Sequence, residues 1–360
     1  MQIGLVGLQF SGKSTLFNII SGNVNEESSG VNEDARIEVV KVPDKRLDLL
    51  TEMFNPKKKV NATIEAYDFP GLRMADDGKV RLTTQFLENV KNNDALFYVI
   101  RQFEEPSVPH PMNDVNPVRD FEFLETEFLL TDHAFLENRI EKLKKEVMKS
   151  KDENLKKELP VIEKCLAWVE NEKPLRNLNL EENEKKLLSG YQLLTLKPLS
   201  VAINLDENSI SDSEKFVNEL RSVIKDQEIK IIPFSAKIEI ELASLSDEDR
   251  IEFMGDYGIE ESALSKILNS SYKILGLHSF FTVGEDECRA WTIKKRFTAQ
   301  EAAGVIHTDF YNKFIRAEVV HYQDFIDHGS FAKCKDAGVW SLEGKEYVVQ
   351  DGDIINVRHS

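Results

Sequence analysis

The chain has 360 residues, 41% of them hydrophobic and 30% charged, and carries a formal net charge of −17 at pH 7. This composition is typical of a globular protein with about two or three domains, and no apolar run approaches the length of a membrane span. The strong negative charge argues against broad non-specific adhesion to nucleic acid. The N-terminal apolar stretch lacks a basic start and is interrupted by Lys13, so it is not predicted to be a signal peptide. Three cysteines without a C-x-x-C pair indicate reduced thiols in a cytoplasmic protein, namely Cys165, Cys288 and Cys334.

Strand and helix patterns alternate over the first 118 residues, which favours a parallel, doubly wound α/β sheet. Apolar runs predict strands at 2–6, 37–41, 63–68 and 95–100, and a helical pattern covers 85–91. The proline-rich tract 104–117 indicates an ordered loop that leads out of the sheet. The lysine triplet 57–59 is interpreted as part of a solvated loop.

Residues 119–196 show two heptad patterns separated by the polar stretch 150–154. Two such helices joined by a short turn predict an antiparallel helical hairpin. Pro160 is compatible with this hairpin if its helix begins or bends there. The hairpin is either an arm that contacts a partner or a pair of helices packed only on each other or on the sheet. The apolar positions are Leu136, Ile140, Leu143 and Val147 in the first helix, and Leu155, Leu159, Ile162, Leu166 and Val169 in the second.

The strand pattern resumes in residues 197–278, with apolar runs at 199–203 and 229–234. From residue 279 to 360 the pattern changes to short strands and turns, including a hairpin-type turn at 350–353. These last residues predict a compact α+β module of about 80 residues, which is within the size range of an autonomous domain. The short strands are predicted at 280–283, 290–293, 314–320 and 354–357.

The stretch from Gly7 to Ser14 matches the G-x-x-x-x-G-K-[ST] pattern between a predicted strand and a predicted helix. Such a loop aims backbone N–H groups inward and adds the positive end of the helix dipole, so it binds phosphate. Lys13, the predicted catalytic residue, would reach the β- and γ-phosphates, and the Ser14 hydroxyl would hold Mg²⁺. The alternative is an ordinary glycine-rich turn before an amphipathic helix, with no role in nucleotide binding. The predicted nucleotide-binding residues here are Phe10, Ser11, Gly12, Lys13, Ser14 and Thr15.

A second motif, D-x-x-G, runs from Asp68 to Gly71 at the end of a predicted strand. An aspartate beside the phosphate loop can hold Mg²⁺ through water, and the glycine N–H can bind the γ-phosphate. Asp68 and Ser14 are therefore the predicted metal ligands, and Gly71 is a predicted nucleotide contact.

A third motif, Asn204, Leu205, Asp206 and Glu207, stands where guanine-binding members of this superfold carry N-K-x-D. The longer Glu207 side chain moves the carboxylate about one methylene outward, which weakens the clamp on guanine. We therefore expect adenine to be accepted at least as well as guanine. The alternative is a plain turn that ends a strand. The backbone of Ser235 and Ala236, in a later S-A-K string, is predicted to support the base from the side.

In this order the motifs resemble those of the YchF (Obg-like ATPase) branch of the translation-factor-class GTPases. The resemblance spans nearly the whole chain and is strongest in AWTI (290–293), AAGVIHTDF (302–310) and FIRAE (314–318). It implies a P-loop NTPase fold of the Ras-like type, an inserted coiled-coil hairpin and a C-terminal TGS domain with a β-grasp fold. It also implies hydrolysis of ATP at least as readily as GTP, and association with ribosomes.

The implied domains are a nucleotide-binding G domain at 1–118 and 197–278, a coiled-coil insertion at 119–196 and a TGS domain at 279–360. The expected cofactor is Mg²⁺, and the expected ligand is ATP or GTP. A cytoplasmic monomer that associates with the ribosome and with no membrane is expected.

Departures from the family pattern concern the switches. Asn32 stands where the family's first switch carries a metal-binding threonine, although Ser28 or Ser29 could substitute for it. Leu72 stands where many GTPases carry a glutamine that orients the attacking water, and its side chain cannot form a hydrogen bond. Two function classes follow: a P-loop nucleoside triphosphatase with a low intrinsic rate, or a nucleotide-gated binding module with negligible hydrolysis. A P-loop kinase is the weaker third hypothesis.

Overall fold

The computed structural model describes residues 1–23, 35–70, 72, 82–149, 152–259 and 261–360. The chain forms two compact units. The first unit comprises Met1–Glu38 and Glu65–Ile267, and the second comprises Val39–Ile64 and Leu268–Ser360. None of the helices in the described ranges is both long and apolar enough to cross a membrane.

The secondary structure elements are numbered in chain order. The strands are β1 (Gln2–Val6), β2 (Arg36–Val42), β3 (Lys58–Val60), β4 (Ala62–Asp68), β5 (Ala95–Arg101), β6 (Leu199–Asn204), β7 (Lys230–Phe234), β8 (Leu277–Thr282), β9 (Glu287–Lys294), β10 (Phe314–Val320), β11 (Trp340–Glu343) and β12 (Ile354–His359). The helices are α1 (Lys13–Ser21), α2 (Lys45–Phe54), α3 (Thr84–Lys91), α4 (Pro117–Lys149), α5 (Glu153–Val169), α6 (Glu182–Leu188), α7 (Ser213–Val223), α8 (Ala236–Ser244), α9 (Asp247–Asp256), α10 (Ala263–Ile274), α11 (Ala299–Ile306), α12 (Thr308–Asn312), α13 (Tyr322–His328) and α14 (Phe331–Asp336). Short 3₁₀ turns lie at Leu175–Asn177, Ser189–Tyr191 and Glu207–Ser209.

The first sheet has the strand order β2-β4-β1-β5-β6-β7. Strand β1 pairs in parallel with β4 and β5, and β5, β6 and β7 also pair in parallel. Every residue of β5 and β6 is buried, as expected of central parallel strands that are covered on both faces. The predicted α/β sheet is therefore confirmed. Because parallel strands all point the same way, the loops that follow β1, β4, β6 and β7 leave the sheet at one edge.

Helix α4 packs on different partners along its length. Its first turns, with Phe121, Leu124 and Phe128, join the hydrophobic core under the sheet. Its later turns pack on α5, where Leu136 and Leu143 share a cluster with buried α5 residues. Helix α5 continues through Pro160. Helix α4 therefore packs both on the sheet and on α5, and the alternative of an arm that contacts a partner stays a prediction.

The second sheet has the strand order β11-β10-β12-β8-β9-β3. Its core contains Phe280, Ile293, Val319 and Ile355. Strand β3 lies parallel to β9, so the interpretation of the lysine triplet as a loop is wrong for two of its members: exposed Lys58 and Lys59 belong to an edge strand. The sequence assigned residues 39–64 to the nucleotide-binding domain, whereas they belong to the same compact unit as the C-terminal residues.

A buried carboxylate fixes α4 to the segment that leads into β6. Asp132 accepts hydrogen bonds from the Leu194 N–H at 2.9 Å and from both the N–H and the hydroxyl of Thr195 at 2.7 Å. Burial raises the pKa of Asp132, and these hydrogen bonds act in the opposite direction. Since the acceptor is buried, its loss leaves these donors without a partner.

We predict that Asp132→Ala lowers the free energy of unfolding by about 2–4 kcal/mol, because three buried hydrogen bonds are lost. Urea titration followed by circular dichroism measures the effect. Glu141→Ala is the matched control, since Glu141 is an exposed carboxylate on the same helix; its effect should stay within about 0.5 kcal/mol. Equal effects of the two substitutions would contradict the anchoring role of Asp132.

Candidate nucleotide-binding site

The phosphate loop connects β1 to α1 and brings two glycines close to neighbouring backbone and side chains. A Cβ atom at Gly7 would lie 2.6 Å from the carbonyl oxygen of Val99. Gly12 has φ +89°, and a Cβ atom there would collide with the Asn204 amide. Phe10 also has a positive φ of 65°. The glycine spacing of the motif is therefore required by this tight turn.

Lys13, the first residue of α1, is 4% exposed, and its side chain points toward the end of β4, where the D-x-x-G motif begins. Its ammonium donates to Asp68 Oδ1 at 2.6 Å and to the carbonyl oxygen of Phe69. Burial lowers the pKa of Lys13, and the charge of Asp68 partly offsets this effect. Among the described residues, the lysine is thus a buried cation held by one carboxylate, Asp68, next to the phosphate loop.

Asp68 binds a second cation. Arg36 Nη2 lies 2.7 Å from Asp68 Oδ2. Burial favours a higher pKa for Asp68, but Lys13, Arg36 and a hydrogen bond from Ser14 together hold the pKa below its ordinary value. The Asp68 carboxylate and the Ser14 hydroxyl are therefore adjacent, and both are hard oxygen donors of the kind that Mg²⁺ prefers.

The Asn204 side chain connects the loops at the edge of the sheet. Its Nδ2 donates to the carbonyl oxygen of Ser11 at 3.1 Å, and its Oδ1 accepts from the Ala236 N–H at 3.1 Å. The Asn204 carbonyl oxygen accepts from the Gln102 N–H at 2.8 Å. The buried Asn204 amide thus joins the phosphate loop to the S-A-K string, and the main-chain carbonyl oxygen of the same residue binds the segment after β5.

The side chains after Asn204 differ from those of a guanine site. Leu205, in the lysine position of N-K-x-D, is 2% exposed, and its N–H donates to the Phe234 carbonyl oxygen at 2.8 Å. Glu207 forms an ion pair with Lys237, with 3.3 Å between Lys237 Nζ and Glu207 Oε2. The carboxylate that would bind guanine is therefore paired with a cation of the chain itself.

Several polar atoms at this edge are buried and lack a hydrogen-bond partner among the described residues. They include the hydroxyls of Ser11 and Ser235, each in a residue that is 2% exposed. Arg101 Nη1, at the end of β5, and Gln102 Oε1, in the next residue, are also buried without a hydrogen-bond partner among the described residues. Because buried polar groups are nearly always paired, such a concentration at one edge indicates a site for a polar ligand.

Two family models match the chain. The model described as "50S ribosome-binding GTPase" matches residues 2–164, and a model for the C-terminal part of YchF GTPases, described as a protein of unknown function, matches residues 277–360. The "Ribosome-binding ATPase YchF" of Pasteurella multocida is 38% identical over 357 residues, which cover 99% of this chain and 98% of that protein. The chain belongs to the YchF family.

Other relatives agree with this assignment. The YchF protein of Bacillus subtilis, which has the same name, is 39% identical over 360 residues, covering 99% of this chain and 98% of that protein. The structure of the Schizosaccharomyces pombe YchF GTPase superposes with a TM-score of 0.87 at 32% identity, covering 99% of this chain and 97% of that chain. The resemblance inferred from the motifs is thus confirmed, as is the P-loop GTPase domain within an α/β fold.

The structure brings most of the predicted site residues of this YchF family member to one edge of the first sheet. Phe10 is 46% exposed, whereas Ser14 and Thr15 are half-buried at the start of α1. Leu72 is buried, and its backbone exchanges hydrogen bonds with Gly7 and Gln9. Its side chain has no hydrogen-bonding group, so it cannot orient a water molecule. Four predicted residues lie outside the described residues, namely Gly71, Asn32, Ser28 and Ser29.

Sequence reasoning missed Arg36 and Arg101. Arg36 begins β2 and reaches Asp68, while Arg101 ends β5 and donates to the carbonyl oxygens of Phe103 and Val108. Neither residue belongs to a short motif. The available signal for Arg101 was its position at the carboxyl end of a sheet strand, where ligand sites of α/β folds concentrate. Arg36, at the start of β2, carries no such signal.

We predict that Gly12→Ala greatly weakens nucleotide binding, because the added methyl group collides with Asn204 and opens the loop. Gly22→Ala is the matched control. Gly22 follows the other end of α1 with φ +77°, but a Cβ there meets none of the described residues within 4 Å. Both variants should lose about 1 kcal/mol or more of stability from the left-handed conformation, whereas only Gly12→Ala should lose affinity for a nucleotide analogue in calorimetry. Equal loss of affinity in both variants would contradict the contact with Asn204.

Proposed function

We propose that this YchF family member binds a nucleoside triphosphate with Mg²⁺, hydrolyses its γ-phosphate, and acts as a ribosome-associated switch in the cytoplasm. The observation that carries the proposal is the buried Lys13 ammonium, held by Asp68 beside Ser14 at the end of the phosphate loop. The names of the relatives, which are ribosome-binding ATPases, support the partner and the reaction.

The chain's own residues account for phosphate binding. Lys13 would exchange Asp68 for the β- and γ-phosphates, and the N–H groups of the loop and of Gly71 would bind phosphate oxygens. Ser14 and Asp68 would hold Mg²⁺, which would offset negative charge on the phosphates when bound. Catalysis would then consist mainly of positioning and electrostatic stabilisation, with Lys13 as the catalytic residue.

The base would lie between the segment after β6 and the S-A-K string. Asn204, Leu205 and Glu207 would form one wall, and the backbone of Ser235 and Ala236 another. Because Lys237 already pairs with Glu207, guanine would have to compete for this carboxylate. Adenine has no group that needs this carboxylate, so we infer that ATP binds at least as well as GTP.

Hydrolysis without help would be slow. Leu72 offers no hydrogen bond to water, so another group of the chain, the nucleotide or a partner must position the attacking water. The alternative of a binding module with negligible hydrolysis is not favoured by the ATPase names of the relatives.

The remaining parts of the chain would serve recognition. Helices α4 and α5 would form the coiled-coil insertion of 119–196, and residues 279–360 would form a TGS domain of the β-grasp type. Residues 1–118 and 197–278 would form the G domain, apart from 39–64 and 268–278, which belong to the second compact unit. We infer a monomer, with the ribosome or one of its subunits as the partner.

The proposal predicts that Lys13→Ala abolishes tight binding of a non-hydrolysable ATP analogue, because the loop loses its only lysine. Titration calorimetry in the presence of Mg²⁺ measures the affinity. Lys142→Ala removes an exposed cation from α4 and is the control that should bind normally. Unchanged affinity of the Lys13 variant would refute the assignment of the phosphate site.

The base preference gives a second prediction. The unmodified protein should bind the ATP analogue at least as tightly as the GTP analogue, and Glu207→Asp should shift the ratio toward GTP, because aspartate has the length that the guanine clamp uses. Calorimetry with both analogues gives the ratio. If the unmodified protein prefers GTP by about tenfold, or about 1.4 kcal/mol, the prediction that Glu207 weakens the clamp on guanine is wrong.

A further inference from the structure

Arg36 is held in one position by three neighbours in the first unit. Its Nη2 lies 2.7 Å from Asp68 Oδ2, and its Nη1 donates to Asn18 Oδ1 at 2.9 Å. Its guanidinium carbon lies 4.8 Å from the centre of the Phe17 ring, a cation–π distance. Asn18 and Phe17 both belong to α1, the helix that begins at Lys13. Arg36 is therefore fixed to the helix that carries the phosphate loop.

The two oxygens of the Asp68 carboxylate are divided between two cations of different character. Oδ1 accepts from Lys13, and Oδ2 accepts from Arg36. Lysine is a point charge on a flexible stem, so it can exchange one anion for another. Arginine presents a planar fork of donors, and this fork is already engaged by Asn18 on one side. The arrangement favours release of Oδ1 and retention of Oδ2.

We propose that Arg36 is a positioning residue for the metal ligand Asp68: it keeps Oδ2 when nucleotide binds, while Lys13 leaves Oδ1 for the phosphates. This inference rests on the proposed function. Arg36 would hold the Asp68 carboxylate in a fixed orientation. Oδ1, the oxygen that Lys13 frees, would then be the one available to Mg²⁺. Arg36 then supports metal binding without itself contacting metal or nucleotide, in the manner of the hydrogen-bonded partners that orient metal ligands elsewhere.

The alternative is that Arg36 competes with the metal for Asp68. The two hypotheses predict opposite effects of Arg36 on the nucleotide affinity gained from Mg²⁺. A positioning residue increases the gain in nucleotide affinity that Mg²⁺ provides, whereas a competitor decreases this gain. The ratio of the nucleotide dissociation constants without and with Mg²⁺ distinguishes them.

The experiment measures this ratio by titration calorimetry with a non-hydrolysable ATP analogue, in excess Mg²⁺ and in EDTA. Removal of a residue that orients a metal ligand reduces metal affinity by about tenfold or more. Arg36→Ala should therefore reduce the ratio by about tenfold. The dissociation constant measured in Mg²⁺ should change, and the one measured in EDTA should not. Arg36→Lys should recover part of the ratio, because its ammonium can still pair with Oδ2. Lys41→Ala, which removes an exposed cation from the same strand, should leave the ratio unchanged.

Other outcomes overturn the inference. An unchanged or increased ratio in Arg36→Ala refutes positioning, and an increase means competition. Equal weakening in both arms means that the effect is structural. In an Asp68→Asn background, Arg36→Ala should change the ratio no further, and a persisting effect would show that Arg36 does not act through Asp68. If the unmodified protein binds no nucleotide, the proposed function fails and this inference with it.

Discussion

The site depends on the buried ion pair between Lys13 and Asp68. Each group is almost completely enclosed, so the charge of each needs a partner: Lys13 has Asp68, and Asp68 has both Lys13 and Arg36. The pair also joins the phosphate loop to the end of β4, the two places that must respond to a phosphate group. In the function that we propose, a bound triphosphate would give Lys13 a new anion and would free one oxygen of Asp68. The ion pair would then be both the support of the site and the contact that a nucleotide replaces.

A second constraint is the geometry of the sheet edge. Parallel strands deliver their following loops to one side, and Asn204 joins three of these loops through its amide and its carbonyl oxygen. The close approach of this amide to Gly12 leaves no space for a side chain at that position of the loop. Together, Asn204 and the Lys13–Asp68 pair would set the proposed phosphate and base sides of the site against the same sheet, which is the kind of preorganisation that phosphoryl transfer requires.

The sequence predicts the parts of this site that have local signals. The phosphate loop, the strand before it and Asn204 lie in motifs whose order follows the order of the strands. Contacts between distant segments have no such signal: β3 is an exposed strand of three residues that pairs with β9 more than two hundred residues later. Arg36 was missed for the same reason, since its role depends on reaching Asp68 in space. The effect of Lys237 on Glu207 was likewise visible only once the two segments were placed side by side.

The most direct test of this account is a crystal structure of the protein with Mg²⁺ and a non-hydrolysable ATP analogue. The account predicts that the Lys13 ammonium has left Asp68 and lies against the β- and γ-phosphates, with Arg36 still on Asp68. A nucleotide bound at the phosphate loop with the Lys13–Asp68 pair intact would contradict it.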